Sequence, residues 1–165
     1  MGAVVERAEL IEICNRLRGE GRTIVFTNGC FDIIHRGHVD YLERASALGD
    51  ILVVGLNTDS SVSELKGPCR PIVPEDDRAH VLAGLAAVDY VSLFDEATPL
   101  ELISSVRPDV LVKGAGYTRE TIVGADVVEG RGGRVIALAP LEGRATRSII
   151  STILDRGRGC LEDGR

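Results

Sequence analysis

Short apolar runs alternate with amphipathic stretches along most of the 165-residue chain. Five of these runs have the length and the apolar content of buried strands: Thr23–Asn28, Ile51–Leu56, Tyr90–Phe94, Asp109–Gly114 and Arg134–Pro140. Strands that are joined by helices form parallel sheets covered on both faces. The pattern therefore predicts an α/β fold, a Rossmann-like three-layer α/β/α arrangement with a five-stranded parallel sheet.

The amphipathic stretches predict the helices that cover the sheet. Apolar positions recur at helical spacing in residues 4–18, in Arg36–Leu48, in residues 76–88 and in residues 145–154. Gly49 is predicted to end the second of these helices as a C-cap glycine. Thr98 followed by Pro99 predicts the start of a further, shorter helix. We expect one domain over residues 1–155 and a poorly ordered tail over residues 156–165.

The carboxyl ends of the strands are where an open α/β sheet binds its ligands. In this sequence that edge collects the residues that follow Thr27, Leu56, Val112 and Pro140. Six cations lie in or near these segments: Lys66, Arg70, Arg78, Lys113, Arg144 and Arg147. Each cation alone suits a solvated surface, but their convergence on one edge of the sheet predicts a cationic cleft.

The composition narrows the classes of partner. The net charge of −6 and the sequence pI near 5.1 argue against a surface that coats nucleic acid, although they allow a small basic pocket for one nucleotide. No run approaches the ~20 apolar residues needed to span a bilayer, and the N-terminus does not resemble a signal peptide. Cys14, Cys30, Cys69 and Cys160 form no metal or disulfide pattern. We expect reduced thiols in a cytoplasmic protein, with no membrane or nucleic-acid partner.

The stretch NGCFDIIHRGH, Asn28–His38, follows the first predicted strand. His35 and His38 are three positions apart at the start of a helix, so both imidazoles can face one ligand. Taken alone, the stretch fits capping histidines, a two-histidine metal site, a nucleophile pair of Cys30 with a histidine, or a phosphate cradle. The glycine turn and the free N–H groups at the helix start favour phosphate. The cations at the other strand ends strengthen that interpretation.

Five segments, in order, resemble the HxGH nucleotidyltransferase superfamily, which is cytidylyltransferase-like. They are TNGCFDIIHRGHVDYLERASALGD with its HxGH at His35–His38, VGLNTDSSVSELKGPCRPIVPEDDRAHVL, VDYVSLFDEATPLELI, RPDVLVKGAGY and LEGRATRSII. Over about residues 5–155 the set is most similar to the bacterial D-glycero-β-D-manno-heptose 1-phosphate adenylyltransferases. These enzymes act in ADP-heptose synthesis, a carbohydrate pathway that supplies lipopolysaccharide.

The resemblance implies a reaction in which a sugar 1-phosphate attacks the α-phosphorus of ATP and pyrophosphate leaves. Catalysis would consist of positioning the substrates and stabilising charge at the reacting phosphorus. The implied catalytic residues are His35, His38 and Lys66. Mg²⁺ would accompany the triphosphate and needs few protein ligands of its own, so no protein metal site is expected.

The resemblance also implies which residues bind the two substrates. The implied nucleotide-binding residues are Asn28, Gly29, Cys30, Phe31, Gly37, Lys113, Gly114, Arg144, Thr146 and Arg147. The implied substrate-binding residues are Asp32, Asn57, Asp59, Arg70 and Arg78. A homodimer is expected from the resemblance, and a separate sugar kinase is expected because the branch's kinase domain is absent from this sequence.

Two positions depart from the pattern of the heptose branch. KGGDY is here KGAGY, which places Gly116 where an aspartate is usual, and Ser-Thr-Thr is here Ala145-Thr146-Arg147. These departures keep an alternative open, a cytidylyltransferase or adenylyltransferase that acts on another phosphorylated substrate such as glycerol 3-phosphate or FMN. A non-catalytic nucleotide-binding module is a third possibility, and the intact histidines and Lys66 speak against it.

Overall fold

The computed structural model describes residues 2–114, 116, 119–139 and 141–162, with side chains described through residue 157. The strands are β1 (Ala3–Val4), β2 (Ile24–Gly29), β3 (Ile51–Asn57), β4 (Tyr90–Phe94), β5 (Val110–Gly114) and β6 (Arg134–Leu138). The helices are α1 (Arg7–Gly19), α2 (Arg36–Ser46), α3 (Asp59–Lys66), α4 (Glu75–Ala83), α5 (Leu100–Val106), α6 (Ala125–Glu129) and α7 (Thr146–Glu162). Pro140, which ends the last predicted strand, lies outside the described residues.

The sheet has six strands in the order β1-β4-β3-β2-β5-β6, and every neighbouring pair is parallel. The α/β class and the parallel sheet are confirmed, but the predicted number of five strands is wrong. The additional strand is β1, in which Ala3 and Val4 pair with Tyr90 and Val91 at one edge. The prediction placed Val4 in the first helix, whereas α1 begins at Arg7. A two-residue strand is too short to show a period of its own in the sequence.

The two faces of the sheet carry separate apolar cores. On one face, Ile24 and Phe26 of β2 pack in a cluster with residues of α1, α5 and α6. Val25, between them in sequence, points to the opposite face and packs in a cluster with residues of α2 and α4. Both faces of β2 are thus buried, which explains the continuous apolar run of this strand and confirms the three-layer arrangement.

The order of the strands places a topological switch point in the middle of the sheet. From β2 the chain builds outward through β3 to β4, and it then returns to the other side of β2 to form β5 and β6. The connections after β2 and β5 therefore diverge on opposite faces, and a crevice opens between Gly29 and Gly114, the last residues of these two strands.

The predicted C-cap of α2 and the predicted start of α5 differ from those in the structure. Helix α2 ends at Ser46, and Gly49 lies beyond its cap. A Cβ on Gly49 would come 2.6 Å from a methyl carbon of Val25 and 2.8 Å from a backbone oxygen, so this glycine permits close packing and does not cap the helix. Helix α5 begins at Leu100 and has no side-chain cap. A cap at Thr98, as predicted, would have started the helix one residue earlier, at Pro99.

Helix α7 continues past Asp155, where the domain was predicted to end, and reaches Glu162. From Ser151 to Gly157 its residues are all exposed. Within the described part of the chain, no helix combines the length and the apolar character needed to cross a membrane.

Candidate functional site

Two adjoining cavities, of about 520 and 580 Å³, open at the carboxyl ends of β2 and β5. We call the two together the cleft. They share a wall formed by Asn28, Gly29, Cys30, Phe31, His38, Lys66, Lys113 and Thr146. The cavity of about 520 Å³ is called the Thr98 side and the cavity of about 580 Å³ the Tyr41 side, each after a residue that lines only that cavity.

The two sides of the cleft have different linings. The Thr98 side is completed by Asp32, Asn57, Leu65, Arg70, Phe94, Ala97, Thr98, Pro99, Thr121, Val123 and Arg147. The Tyr41 side is completed by His35, Gly37, Tyr41, Gly114, Leu141, Arg144 and Ala145. The cleft therefore brings together all the implied catalytic residues, all the implied nucleotide-binding residues, and three of the implied substrate-binding residues, Asp32, Asn57 and Arg70.

His35 and His38 stack against each other at the start of α2. Their ring centroids lie 3.9 Å apart and their planes are inclined by 17°. His35 is the N-cap of the helix, and its Nδ1 accepts a hydrogen bond from the backbone N–H of Gly37 at 3.1 Å. The edge of Phe31 closes the other side of His38, with centroids 5.3 Å apart. These contacts fix the orientation of both rings without a ligand.

Both histidines are neutral near pH 7. Burial, with a smaller contribution from the adjacent His35, lowers the pKa of His38 to about 4. The pKa of His35 is also lowered, by burial and by the nearby Arg144 guanidinium. Since Nδ1 of His35 accepts a hydrogen bond, the proton of the neutral ring resides on Nε2. His35 thus offers a fixed N–H donor and carries no charge.

The loop between β2 and α2 is held in a strained conformation. Phe31 and Ile33 both have positive φ, 45° and 58°, a region that costs a non-glycine residue roughly 1 kcal/mol or more. The loop is fixed from two sides: Arg78 Nη1 donates to the carbonyl of Cys30 at 2.6 Å, and the Thr146 hydroxyl donates to the carbonyl of Asp32 at 2.9 Å. The surrounding structure therefore compensates for the strain that aims Phe31 at His38.

Asp32 is the buried anchor of this loop. Its side chain is fully buried and accepts from Arg70 Nε at 2.5 Å and from the backbone N–H groups of Ile72 and Val73, each at 2.9 Å. Burial opposes ionisation, but these three donors outweigh it and hold the pKa of Asp32 below its ordinary value. The Asp32 carboxylate lines the cleft with its hydrogen-bonding capacity largely used by the protein itself.

The structure does not bring Arg78 and Asp59 to the lining of the cleft. The side chain of Arg78 is only 1% exposed, and it donates to the carbonyls of Cys30, Val73 and Asn57 and to the Asp59 carboxylate at 2.7 Å. Asn57 lines the cleft, and its amide nitrogen donates to the Ser61 hydroxyl at 2.8 Å. Arg78 therefore acts as a buried connector beneath the cleft that joins the ends of β2 and β3 to α4.

The charge of the cleft is strongly positive in a protein of net charge −6. Lys66, Arg70, Lys113, Arg144 and Arg147 line it, and Asp32 is the one carboxylate among the described lining residues. Lys66 and Lys113 are the only lysines of the chain, and both belong to the shared wall. Such a concentration of cations, with convergent N–H donors, is suited to phosphate groups.

Lys113 is the most perturbed of these cations. Its ammonium group donates to Asn28 Oδ1 on the neighbouring strand β2. Burial lowers the pKa of Lys113 to about 8, so the residue is largely charged at pH 7 and loses its charge just above neutrality. A phosphate bound beside it would compensate the buried positive charge.

Cys30 lines the shared wall with a protonated thiol. Its pKa is raised, because burial outweighs the opposing effect of Lys66 and the nearby arginines. Its sulfur lies 4.0 Å from Asn57 Oδ1. Since the Nδ1 of His35 already accepts from Gly37, these contacts provide no base that activates the thiol as a nucleophile.

The described residues contain no group of three or more His, Cys, Asp or Glu arranged to hold a metal ion. The carboxylate of Asp32, the candidate ligand in the cleft, is occupied by Arg70 and two backbone amides. A divalent cation in this cleft would therefore depend on oxygens brought by its ligands.

Sequence reasoning missed the segment after β4. Phe94, Ala97, Thr98 and Pro99 line the cleft, although none of them was a candidate residue. The signal was present, since the strand Tyr90–Phe94 was predicted and the rule that ligands bind at strand carboxyl ends applies to it equally. Val123 and Leu141 also line the cleft, and neither was a candidate, although Leu141 begins the segment LEGRATRSII.

Known proteins resemble the chain over most of its length. Residues 26–152 match a family model described as cytidylyltransferase-like. The bifunctional protein HldE of Syntrophotalea carbinolica is 56% identical over 150 residues, which are 91% of this chain and 31% of that protein. HldE of Trichlorobacter lovleyi is 52% identical over 153 residues, 93% of this chain and 31% of that protein. The chain thus spans about a third of the length of the curated relatives it matches.

Solved structures show a similar fold. The lipopolysaccharide core biosynthesis protein from Thermoplasma volcanium superposes with a TM-score of 0.59 at 28% identity, over 75% of this chain and 100% of that one. Pantoate-beta-alanine ligase from Francisella tularensis superposes with a TM-score of 0.62 at 13% identity, over 86% of this chain and 71% of that one. The second likeness concerns the fold alone.

Proposed function

The chain belongs to the cytidylyltransferase-like family, and on that premise we propose that it transfers the nucleotidyl group of ATP to a sugar 1-phosphate. The products are an ADP-sugar and pyrophosphate. One observation carries the proposal: a neutral, stacked histidine pair stands beside both lysines of the chain where two cavities meet.

A transfer between two phosphate-bearing substrates needs two binding volumes that meet at the reacting atoms. The Thr98 side and the Tyr41 side provide the volumes, and His38, Lys66 and Lys113 lie on the wall between them. We assign the nucleotide to the Tyr41 side, which has Gly37, Gly114 and Arg144 in its lining. The sugar phosphate then occupies the Thr98 side, and the reacting phosphates lie at the shared wall.

In the proposed reaction, an oxygen of the sugar phosphate forms a bond to the α-phosphorus of ATP. The bond from that phosphorus to the oxygen bridging to the β-phosphorus breaks, and pyrophosphate leaves with the electron pair. A phosphate monoester is mainly dianionic at pH 7, since its second pKa is about 6. The nucleophile therefore needs no general base, which agrees with histidines that their lowered pKa values make weak bases and with an Asp32 carboxylate that is held by Arg70.

The two imidazoles are proposed to donate hydrogen bonds to oxygens of the α-phosphate as negative charge rises there. The Nε2–H of His35 is fixed by the bond that Gly37 donates to Nδ1. His38 is held between His35 and Phe31. Donors that are fixed before the substrate arrives need no reorganisation at the transition state, and this is the largest effect that such a site can supply.

The cations are proposed to stabilise the negative charge that shifts to the leaving pyrophosphate during the reaction. Lys66 and Lys113, on the shared wall, are placed to contact both substrates. Arg144, on the Tyr41 side, is placed for the outer phosphates of the nucleotide, and Arg147, at the start of α7 on the Thr98 side, is placed for the phosphate of the sugar. Mg²⁺ would enter as part of the substrate, bound to triphosphate oxygens, since Asp32 has the one carboxylate among the described lining residues of the cleft and is held by Arg70. In that form it would neutralise part of the charge of the leaving pyrophosphate.

The proposed sugar substrate is D-glycero-β-D-manno-heptose 1-phosphate, and the proposed product is ADP-heptose. Support for this choice comes from the order of the five sequence segments and from identity of 52% and 56% with two HldE proteins. The hydroxyl group of Thr98 and the mixed polar and apolar lining around it suit a sugar better than a flat aromatic ring system.

The test is release of pyrophosphate, measured for ATP, CTP, GTP and UTP against heptose 1-phosphate, glucose 1-phosphate, glycerol 3-phosphate and FMN. The proposal expects the highest kcat/KM for ATP with heptose 1-phosphate. A clear preference for CTP or for a phosphate that is not a sugar phosphate would reject the substrate assignment. Binding of ATP without turnover of any pair would reject catalysis and leave a nucleotide-binding module.

A further inference from the structure

A second charged cavity lies at the opposite edge of the sheet, where the strands begin. It has a volume of about 320 Å³ and lies among the starts of β2, β5 and β6. Four arginines line it: Arg18, Arg107, Arg131 and Arg134. Asp109 is the one carboxylate among the described residues of its lining, which leaves an excess of three positive charges. We call this cavity the arginine pocket.

The groups that could neutralise the arginine pocket are occupied elsewhere. The Asp109 carboxylate accepts a hydrogen bond from the backbone N–H of Ile24 at 2.8 Å. Arg18 is a structural member of the pocket, because its guanidinium donates to the carbonyls of Val106 and Arg107 at 2.6 and 3.0 Å. In the described part of the chain, the other three arginines form no ion pair with a carboxylate.

The backbone at Arg107 gives independent support for a role of its side chain. Arg107 follows α5 with φ at 53°, in the left-handed region where helices usually place glycine or asparagine. An arginine at such a position is sterically unfavourable, and the adjacent Pro108 makes the chain there still less adaptable. A guanidinium group that binds a ligand in the pocket explains why the position carries arginine.

We propose that the arginine pocket binds a small anion that carries two or three phosphate groups. Guanidinium groups pair with phosphate oxygens through two parallel hydrogen bonds, and three of them can neutralise several negative charges at once. The side chains must supply these bonds, because the backbone N–H groups of Gly132 and Gly133 already donate to the carbonyls of Glu129 and Val128. A volume near 320 Å³ accommodates a di- or triphosphate chain but not a folded partner.

This site is separate from the cleft and does not depend on the proposed reaction. The two share no lining residue, and they lie at opposite ends of the parallel strands. An enzyme of any specificity, or a protein without activity, could carry it. The failure of either proposal therefore leaves the other unaffected.

The test uses tripolyphosphate as the probe and the amide resonances of Gly132 and Gly133 as the local readout. The titration is run at constant ionic strength, set with sodium chloride, because exposed ionic contacts are sensitive to screening. Binding in the cleft is weakened by working in a chain with Lys66→Met and Arg147→Met, and the two glycine amides report on the arginine pocket at the other end of the strands. In that background we expect both glycine amides to shift in a saturable manner.

The matched variants decide whether the arginines are responsible. Arg107→Gly, Arg131→Gln and Arg134→Gln together should raise the Kd at least about tenfold, and Arg131→Gln alone should raise it measurably. Arg131 is exposed, so the Arg131→Gln variant retains its fold. Arg22→Gln is the control, since Arg22 lies at the same edge of the sheet but outside the pocket, where it pairs with Asp50 at 3.4 Å. The Kd of this variant for tripolyphosphate should be unchanged.

Three results would overturn the proposal. The first is the absence of a saturable shift, or an equal shift with sodium chloride alone. The second is an unchanged Kd in the triple variant. The third is tighter binding of hexaglutamate than of tripolyphosphate, which would show that the pocket selects an acidic peptide and not phosphate.

Discussion

The imidazole rings of His35 and His38 stack nearly parallel, with centroids 3.9 Å apart, at the boundary between two cavities. Burial lowers the pKa of His38 to about 4, with a smaller contribution from the neighbouring His35. The pair is therefore a set of neutral donors surrounded by lysine and arginine side chains. Charge and hydrogen-bond direction are supplied by different residues, and they can be tested separately.

His38→Ala should reduce kcat by about 100-fold or more while the Kd for ATP changes by less than about tenfold, because the donor contributes mainly at the transition state. The measurement is steady-state turnover combined with calorimetric binding of ATP. His80→Ala is the matched control, since His80 is exposed on α4 outside the cleft. An unchanged kcat in His38→Ala would remove this residue from the catalytic machinery.

Lys113 should make nucleotide binding depend on pH just above neutrality. The pKa of Lys113 is lowered by burial to about 8, so at higher pH the free site loses one positive charge and the Kd for ATP should rise by up to about tenfold per pH unit. Because the chain has only two lysines, labelling with ¹³C-lysine gives two side-chain signals, and one of them should titrate near pH 8 without ATP and higher with it.

Lys113→Met should bind ATP more weakly and lose this dependence on pH, whereas Lys66→Met should retain it. A Kd that stays constant in the unsubstituted protein from pH 7 to about pH 9.5, a range that spans the lowered pKa of Lys113 and stays below the ordinary lysine value of about 10.4, would show that Lys113 does not contact the phosphates.

His38 should also make the fold less stable in mild acid. Its pKa in the folded protein is about 4, below the ordinary value of 6.5, because burial disfavours the charged ring. The stability that His38 contributes as a neutral ring is fully present above pH 6.5. The free energy of unfolding then decreases as the pH falls from 6.5 towards 4, because the unfolded chain takes up the proton first. The ring is only partly buried, so we expect a loss of about 2 kcal/mol in the free energy of unfolding.

Urea unfolding between pH 7.5 and pH 5, roughly the window in which carboxylates stay ionised, measures this loss. His38→Gln should show a smaller fall in the free energy of unfolding over that range, whereas His80→Gln should behave as the unsubstituted protein does. Equal slopes for both variants would mean that His38 is not buried as a neutral ring.

Arg78→Met should unfold more easily by about 3 kcal/mol, because it leaves a carboxylate and several carbonyl groups without their donor. The Arg78 guanidinium donates to Asp59 and to the carbonyls of Cys30, Asn57 and Val73. Chemical denaturation measures the effect, with Arg44→Met, an exposed arginine that pairs with Asp40, as the control. Unchanged stability together with a raised KM for the sugar phosphate would restore Arg78 as a ligand-binding residue.

Each of the five longer strands could be predicted from its short apolar run. In β2 the run is continuous because both faces of the strand are buried, as Val25 between Ile24 and Phe26 illustrates. Strand β1 could not, because it depends on the pairing of Ala3 and Val4 with residues almost ninety positions away. Its two residues merge into the apolar pattern of the following helix.

The site could be predicted where a motif or a strand end defines it, and the match to the cytidylyltransferase-like family confirms the resemblance that the motifs carried. Sequence alone could not separate Arg70, which lines the cleft, from Arg78, which is buried beneath it. Arg70 precedes α4 and Arg78 lies in its first turn, and only the packing of that helix decides which of the two is enclosed. The same limit applies to Asp59, whose carboxylate binds Arg78.

Gly116, which stands where the heptose branch usually has an aspartate, has a backbone conformation that favours glycine. Gly116 has φ at 104°, and a Cβ there would meet open space. An aspartate would therefore be opposed by the backbone conformation and not by crowding. Restoring the carboxylate by Gly116→Asp would therefore place a side chain on a backbone conformation that favours glycine.

The most direct test of the account is ³¹P NMR of ATP and D-glycero-β-D-manno-heptose 1-phosphate with the unsubstituted protein and with His38→Ala. With the unsubstituted protein we expect the signals of both substrates to be replaced by those of a nucleotide diphosphate sugar and of pyrophosphate, in equal amounts. With His38→Ala the same products should appear at least about 100 times more slowly. The formation of ADP with inorganic phosphate, or of no product with the unsubstituted protein, would contradict nucleotidyl transfer in this cleft.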